Sequence, residues 1–297
     1  MVPLVAVLEA DPSPANQREG RPLDGGAPRL FSGRMRRLMA MTAGLLAATV
    51  AGAPVAADAA VREKLGVKYG SAIDFIGQRQ ALELDLYRPP ERSKPRPVVI
   101  WVHGGGFTWG ERGFLSNYAT AFAERGFVSA TITYRLAGDQ LGRVGYVGAA
   151  RAAQHDAQAA VRWFRRRAKR LNINPRRIFV GGHSAGAFTA LEVAVSAEDP
   201  GRSGNPGYSS RVRGAIGFSG GLVDPGGIER GDAPMLLVHG DGDTTVPVRS
   251  SERVCAAAKT ARVSCTLERL AGGDHYVPYN RSDEVVRATA RWIRDRL

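Results

Sequence analysis

The 297-residue chain is 44% hydrophobic, enough to bury one substantial core, and beyond its first stretch it is too apolar to stay disordered. Its formal charge of +13 comes mainly from arginine. The densest basic run, Arg162 to Arg170, closes a predicted helix, where cations complement the dipole, and it lacks the alternation with aromatics of a single-strand binding surface, so a solvated basic surface with no nucleic-acid partner is expected.

Residues 1–34 are rich in Pro, Gly, Arg and Asp without a sustained period, and no structure is expected there. Met35-Arg36-Arg37 then introduces an uncharged stretch, Leu38 to Ala57, in which Pro54 precedes Val55-Ala56-Ala57. A basic start, an apolar middle and a small-residue cleavage site make 35–57 a signal peptide, with Met35 as the true start. The alternative is an uncleaved membrane anchor, which the low hydrophobicity and Pro54 oppose. The mature protein is therefore expected outside the cytoplasm, periplasmic or secreted, with no stable membrane span. Export leaves Cys255 and Cys265, the only two cysteines, open to oxidation. A disulfide between them is preferred to two buried thiols.

From Val67 the pattern turns strand-like. Ala81 to Tyr87 alternates apolar and polar until Arg88-Pro89-Pro90 ends it. Val98 to Val102 is a continuous apolar run suited to a central strand, leading into His103-Gly104-Gly105-Gly106-Phe107. Leu115, Tyr118, Ala119 and Phe122 recur at helical spacing, and Phe127 to Tyr134 reads as a buried strand. A glycine-rich loop, 136–148, precedes a long helix with Ala153, Ala157, Val161, Phe164 and Ala168 on its apolar stripe.

Asn174-Pro175 turns the chain into a strand that runs straight into Gly182-His183-Ser184-Ala185-Gly186, and a helix follows from Ala185. Further strands are predicted at 214–218, 235–238 and 263–270. Helices are predicted around Val254 and Ala258, and through Val285, Val286, Thr289, Trp292 and Ile293. Strands alternating with helices imply one α/β domain over 58–297, with a mostly parallel sheet and helices on both faces.

In such a sheet, functional groups gather in loops after the strands' carboxyl ends, which is where Ser184, Asp243, His275 and the glycine run all fall. Gly-x-Ser-x-Gly between a strand and a helix holds its serine in a tight elbow, so Ser184 is the candidate nucleophile. Serine needs a base within hydrogen-bond reach and an acceptor to orient that base. Of the five histidines, His103 suits bracing the glycine loop and His239 a structural role. His183 should point away from Ser184, and His155 lies on the polar side of a helix. His275, in the loop after the last strand, remains as base. Asp241, Asp243 and Asp274 compete as its acid. Asp274 neighbours His275 and should diverge from it, Asp241 suits capping its own glycine turn, and Asp243 lies two residues further along, able to turn back. Backbone N–H groups of Gly105, Gly106 and Ala185 can form an oxyanion hole, each donor worth about 3 kcal/mol. A phosphate-binding glycine loop would need a Lys-Ser/Thr step or dinucleotide spacing, and neither is present.

From about Leu82 onward the chain resembles an α/β-hydrolase of the carboxylesterase/lipase group, close to hormone-sensitive-lipase-like and feruloyl-esterase-like esterases. The resemblance rests on Leu84-Asp85-Leu86-Tyr87-Arg88-Pro89, His103-Gly104-Gly105-Gly106-Phe107, Tyr134-Arg135-Leu136, Asp156 to Trp163, the serine elbow, His239-Gly240-Asp241-Gly242-Asp243-Thr244-Thr245-Val246-Pro247, and His275. It implies the α/β-hydrolase fold, Asp243 as the acid, hydrolysis of a small-molecule ester, and no metal or organic cofactor. The short connection between Phe218 and Met235 departs from relatives that carry a lid there, so the site is expected to be open and a long-chain interfacial lipase is not. Phe107, Trp109, Phe188 and Tyr276 are candidates to line a substrate pocket, or else core aromatics. Other readings are a prolyl-oligopeptidase-like peptidase, whose usual extra domain is missing, and a non-catalytic binding module, which the intact set of nucleophile, acid, base and oxyanion loop opposes.

Overall fold

A computed structural model of the chain describes residues 60–90 and 94–297. The expected unstructured segment 1–34 and signal peptide 35–57 lie outside the described residues. The elements are β1 (Arg62–Ile73), β2 (Arg79–Arg88), β3 (Arg96–Val102), α1 (Ser116–Glu124), β4 (Val128–Ile132), α2 (Leu141–Arg166), α3 (Ala168–Leu171), β5 (Ile173–His183), α4 (Ala185–Val195), β6 (Gly214–Phe218), β7 (Met235–Gly240), α5 (Arg249–Thr260), β8 (Cys265–Leu270), α6 (Val277–Asn280) and α7 (Ser282–Arg294). The strands form one eight-stranded sheet in the order β1-β2-β4-β3-β5-β6-β7-β8. From β4 to β8 neighbours run parallel, while β2 pairs antiparallel with β4 and β1 antiparallel with β2.

Strand residues alternate between two cores because successive side chains point to opposite faces. Val98, Ile100, Val102, Ile178 and Val180 pack under α2 and α4, whereas Val99, Trp101, Phe179, Ile216 and Phe218 pack under α1 and α7. Trp101 is fully buried among Tyr118, Phe122 and Phe218, and its indole N–H donates to Ser129 Oγ at 3.1 Å. Such a ring removes roughly 150–250 Å² from water, which at about 25 cal/mol/Å² contributes on the order of 4–6 kcal/mol. Beyond β7, Leu237 and Met235 meet Val254 and Ala258 of α5. Cys255 of α5 is disulfide-bonded to Cys265 of β8, with Cα atoms 5.2 Å apart. No helix among the described residues is long and apolar enough to cross a membrane.

Three local expectations are corrected. β1 begins at Arg62 rather than Val67 because its first half is held by backbone pairing to β2 and its side chains are mostly exposed, leaving no apolar period to read. The helix expected after a loop at 136–148 already begins at Leu141. Gly145, at φ 69° and ψ 164°, kinks it before the main helical stretch. The basic run is not wholly solvated either. Arg162 is buried, and its guanidinium donates to Gly204 O at 3.0 Å and Pro200 O at 2.7 Å, pinning the polar loop that follows α4.

Candidate active site

β5 delivers Ser184 to the carboxyl edge of the sheet, between β3 and β6. Ser184 takes φ 54° and ψ −121°, a region that side chains rarely occupy, and α4 starts at the next residue. Two flanking glycines make this elbow possible. A Cβ on Gly182 would come 2.6 Å from Val102 O, and one on Gly186 would come 2.6 Å from His103 O, so strand, helix and glycine loop approach only because both side chains are missing.

The structure brings Ser184, His275 and Asp243 into one chain of hydrogen bonds. Ser184 Oγ donates to His275 Nε2 at 3.0 Å, and His275 Nδ1–H donates to Asp243 Oδ2 at 2.7 Å. All three side chains are buried. The second carboxylate oxygen of Asp243 accepts from the N–H groups of Thr245 at 2.9 Å and Val246 at 2.8 Å. Burial by itself would raise this carboxyl's pKa. The hydrogen bonds from His239 and His275 outweigh it and hold the group well below the usual carboxylate range, so it stays ionised and fixes the tautomer of His275.

His239 is the partner that sequence reasoning did not connect to this set. Its Nε2 lies 3.1 Å from Asp243 Oδ2 and 2.7 Å from Val246 O. Both atoms only accept, so Nε2 carries a proton. Its Nδ1 lies 2.7 Å from Ser251 Oγ, which in turn sits 2.9 Å from Gly220 O. The available signal was the spacing of His239 and Asp243, four residues apart across a glycine turn.

The other histidines brace loops. His183 makes no hydrogen bond to Ser184 Oγ and donates from Nε2 to His275 O at 2.9 Å. Burial, then the nearby His275 ring, lowers its pKa to about 3. His103 stacks on Tyr134 with ring centroids 4.5 Å apart and donates from Nδ1 to Gly104 O at 2.7 Å. Burial lowers its pKa to about 4. His155 meets Asp199 at 3.1 Å on the rim of the polar loop. Asp274 serves its own loop, accepting from Tyr276 N–H at 2.9 Å. Asp241 is a correction: it accepts from Gly272 N–H at 2.7 Å, joining its turn to the His275 loop rather than capping the turn itself.

The glycine loop lies against Ser184, since a Cβ on Gly104 would come 3.2 Å from Ser184 Cβ. Gly105, Gly106 and Phe107 follow with φ of 110°, 58° and 64°. Among the described residues, no hydrogen bond uses the N–H of Gly105, Gly106 or Ala185, which leaves three donors at this corner. The four aromatic candidates separate into two pairs. Phe107 and Phe188 are buried in the core beside the elbow, whereas Trp109 and Tyr276 are 61% and 55% exposed. Tyr276 packs its ring against His275 at 5.6 Å and His183 at 6.2 Å, and Trp109 reaches the loop through Phe114, 5.8 Å away.

Comparison with known proteins agrees with this geometry. A family model described as BD-FAE matches residues 84–218, and one described as phospholipase/carboxylesterase matches 157–293. Phenmedipham hydrolase of Pseudarthrobacter oxydans is 36% identical over 115 residues, 38% of this chain and 23% of that protein. Esterase-5B of Drosophila persimilis is 30% identical over 165 residues, 53% of this chain and 27% of that protein. The matched stretch thus spans about a quarter of the length of these curated relatives. Among solved structures, esterase 2 of Thermogutta terrifontis superposes with a TM-score of 0.68 at 22% identity, over 79% of this chain and 94% of that one. A truncated carbohydrate esterase from gut microbiota superposes with 0.65 at 18% identity, over 80% and 98%. With the strand order and the serine elbow between β5 and α4, these matches show that the chain has the α/β-hydrolase fold and that parts of it are similar to carboxylesterases.

Proposed function

We propose that the chain is a serine carboxylesterase that hydrolyses small or medium carboxylic esters through an acyl-enzyme. The observation that carries this reading is the unbroken Ser184–His275–Asp243 relay, at 3.0 and 2.7 Å. Ser184 Oγ attacks the ester carbonyl carbon while its proton passes to His275 Nε2. Asp243 orients the ring and stabilises the imidazolium. The oxygen that becomes negative is received by the N–H groups of Gly105, Gly106 and Ala185. Collapse expels the alcohol, which takes the proton from His275. Water, deprotonated by the same histidine, then releases the carboxylic acid and restores Ser184.

Between β6 and β7 the chain makes one short turn, Pro225–Gly227, so this connection supplies no lid, which favours small soluble esters over a lipid interface. The exposed rings of Trp109 and Tyr276 favour an aryl or sugar group on the alcohol or acyl side, with Phe107 and Phe188 forming the wall behind the elbow. The proposal includes export through the 35–57 signal, checked by sequencing the N-terminus of the mature protein, which should begin near residue 58.

A small aryl acetate, a series of longer acyl esters and a dipeptidyl amide tested side by side are the direct assay. Ser184→Ala should lower kcat on the acetate by at least about 10³-fold with the fold intact. Turnover of the amide without the ester, or unchanged turnover in the variant, would refute the reading.

A further inference from the structure

At the end of the sheet opposite Ser184 lies a cavity of about 310 Å³ lined by Lys64, Val67, Lys68, Leu86, Arg88, Trp163, Arg167, Arg170 and Leu171. Its position follows from the register. Tyr87 pairs with Ser129 near the start of β4, and Leu171 closes α3 just before β5 begins. Ser184, Asp243 and His275 all follow the other ends of their strands. Cations from β1, β2, α3 and the end of α2 converge here, and no carboxylate lines the cavity. Lys64, Lys68, Arg167 and Arg170 make no ion pair among the described residues.

Other arginines are satisfied within the fold. Arg165, half a turn before Arg167, donates to Pro175 O at 3.1 Å and Arg211 O at 2.8 Å, and Arg135 is clamped on Asp156 at 2.9 Å. Arg167 differs. Its guanidinium lies 4.5 Å over the Trp163 ring, and its buried Nη1 has no acceptor. Trp163 itself is only 4% exposed, yet its indole N–H has no acceptor either. A buried donor left unpaired costs about 1–3 kcal/mol, and these two belong to residues lining one cavity already crowded with positive charge. Burial, followed by repulsion from Arg166 and Arg170, lowers the pKa of Arg167.

We propose that this cavity binds a small molecule through a phosphate or sulfate group, held by Lys64, Lys68, Arg167 and Arg170 with the indole N–H of Trp163 as neutral donor. Guanidinium forks match tetrahedral oxyanions in pairs of hydrogen bonds, and lysines add point charges. A volume of about 310 Å³ is at the low end of small-molecule sites, which suits a phosphorylated sugar better than a polymer. The site is separate from ester hydrolysis and does not rest on that reading.

The test uses the full chain at constant ionic strength. Inorganic phosphate and sulfate are titrated while tryptophan fluorescence and heat are followed, with chloride as the reference anion. Saturable phosphate binding is expected, weakened at least about tenfold in Lys64→Gln/Arg167→Gln, whose turnover of a small aryl ester should stay at the wild-type value. Trp163→Phe keeps most of the ring and removes the N–H, and should weaken binding by a few-fold. Sedimentation with phosphatidic acid vesicles, against phosphatidylcholine vesicles, identifies the source. Binding to the acidic vesicles that is lost in the double variant assigns the oxyanion to a lipid headgroup, and binding of soluble phosphate alone assigns it to a free metabolite. The proposal fails if phosphate behaves like chloride and no vesicle binding depends on this pair, or if the double variant binds phosphate as tightly as wild type.

Discussion

Asp243 is shared between two histidines, and only one of them meets Ser184. His239 makes no hydrogen bond to Ser184, so its place in the proposed reaction is that of a positioning residue: with the N–H groups of Thr245 and Val246 it keeps the carboxylate aimed at His275 Nδ1. His239→Ala should lower kcat on a small aryl ester about ten- to a hundredfold with little change in KM, in line with losing one hydrogen bond to a charged group, about 1.5–3 kcal/mol. Gln at this position can still donate toward Asp243, so His239→Gln should recover much of the rate. If both variants lose activity equally, and only in proportion to lost folded protein, the residue is structural alone.

The bracing histidines set the acid limit of the fold. His103 and His183 have pKa values lowered by burial to about 4 and about 3, against about 6.5 in an unfolded chain. The unfolded state therefore takes up these protons first. Their contribution to stability is complete above about pH 6.5 and is lost as pH falls through about 4 and then about 3, at up to about 1.4 kcal/mol per pH unit for each. Asp243 acts in the same direction at still lower pH, since its folded pKa is depressed. Urea melts between pH 7 and pH 4.5 should show this decline, and His183→Asn should flatten it while lowering stability at pH 7.

Between β7 and β8, α5 links the acid's turn to the far edge of the sheet. Its Ser251 lies against His239, and its Cys255 is bonded to Cys265 of β8 across ten residues. Closing a loop that short contributes roughly 2–3 kcal/mol in the chain-entropy account. Cys255→Ser/Cys265→Ser should therefore melt several degrees lower than wild type in a calorimetric scan, and reductant should destabilise wild type but not the double variant.

The elements most readable in the sequence were those whose physics is local. Val98 to Val102 announces a strand covered on both faces, and the glycines at 182 and 186 announce a close approach around Ser184. β1 before Val67 was hidden because partner backbone, not side-chain burial, holds it. The helical turn at Leu141 was hidden by glycine content. Asp241 and His239 were read too locally. Their partners, Gly272 N–H and the Asp243 carboxylate, are met only when the β7 turn folds against the loop after β8 or back upon itself, and propensity carries no trace of either contact.

Over the whole molecule, the sheet keeps two chemistries apart. One end carries the buried hydrogen-bonded set around Ser184, and the other carries Lys64, Lys68, Arg167 and Arg170, which make no ion pair among the described residues. Within the basic run 162–170, Arg162 and Arg165 are tied to loop carbonyls, whereas Arg167 and Arg170 line the cavity.

The backbone at Ser184, at φ 54° and ψ −121°, sets the proposed function against durability. That conformation suits glycine, and holding any other residue in it costs on the order of 1–3 kcal/mol. Serine and alanine bear this cost alike, so Ser184→Gly should melt a few degrees above Ser184→Ala, although both lack the hydroxyl and its hydrogen bond. Selection for yield or heat resistance alone would therefore drift toward a protein without the proposed activity, and a screen for hardier variants of this chain has to score ester turnover in every round.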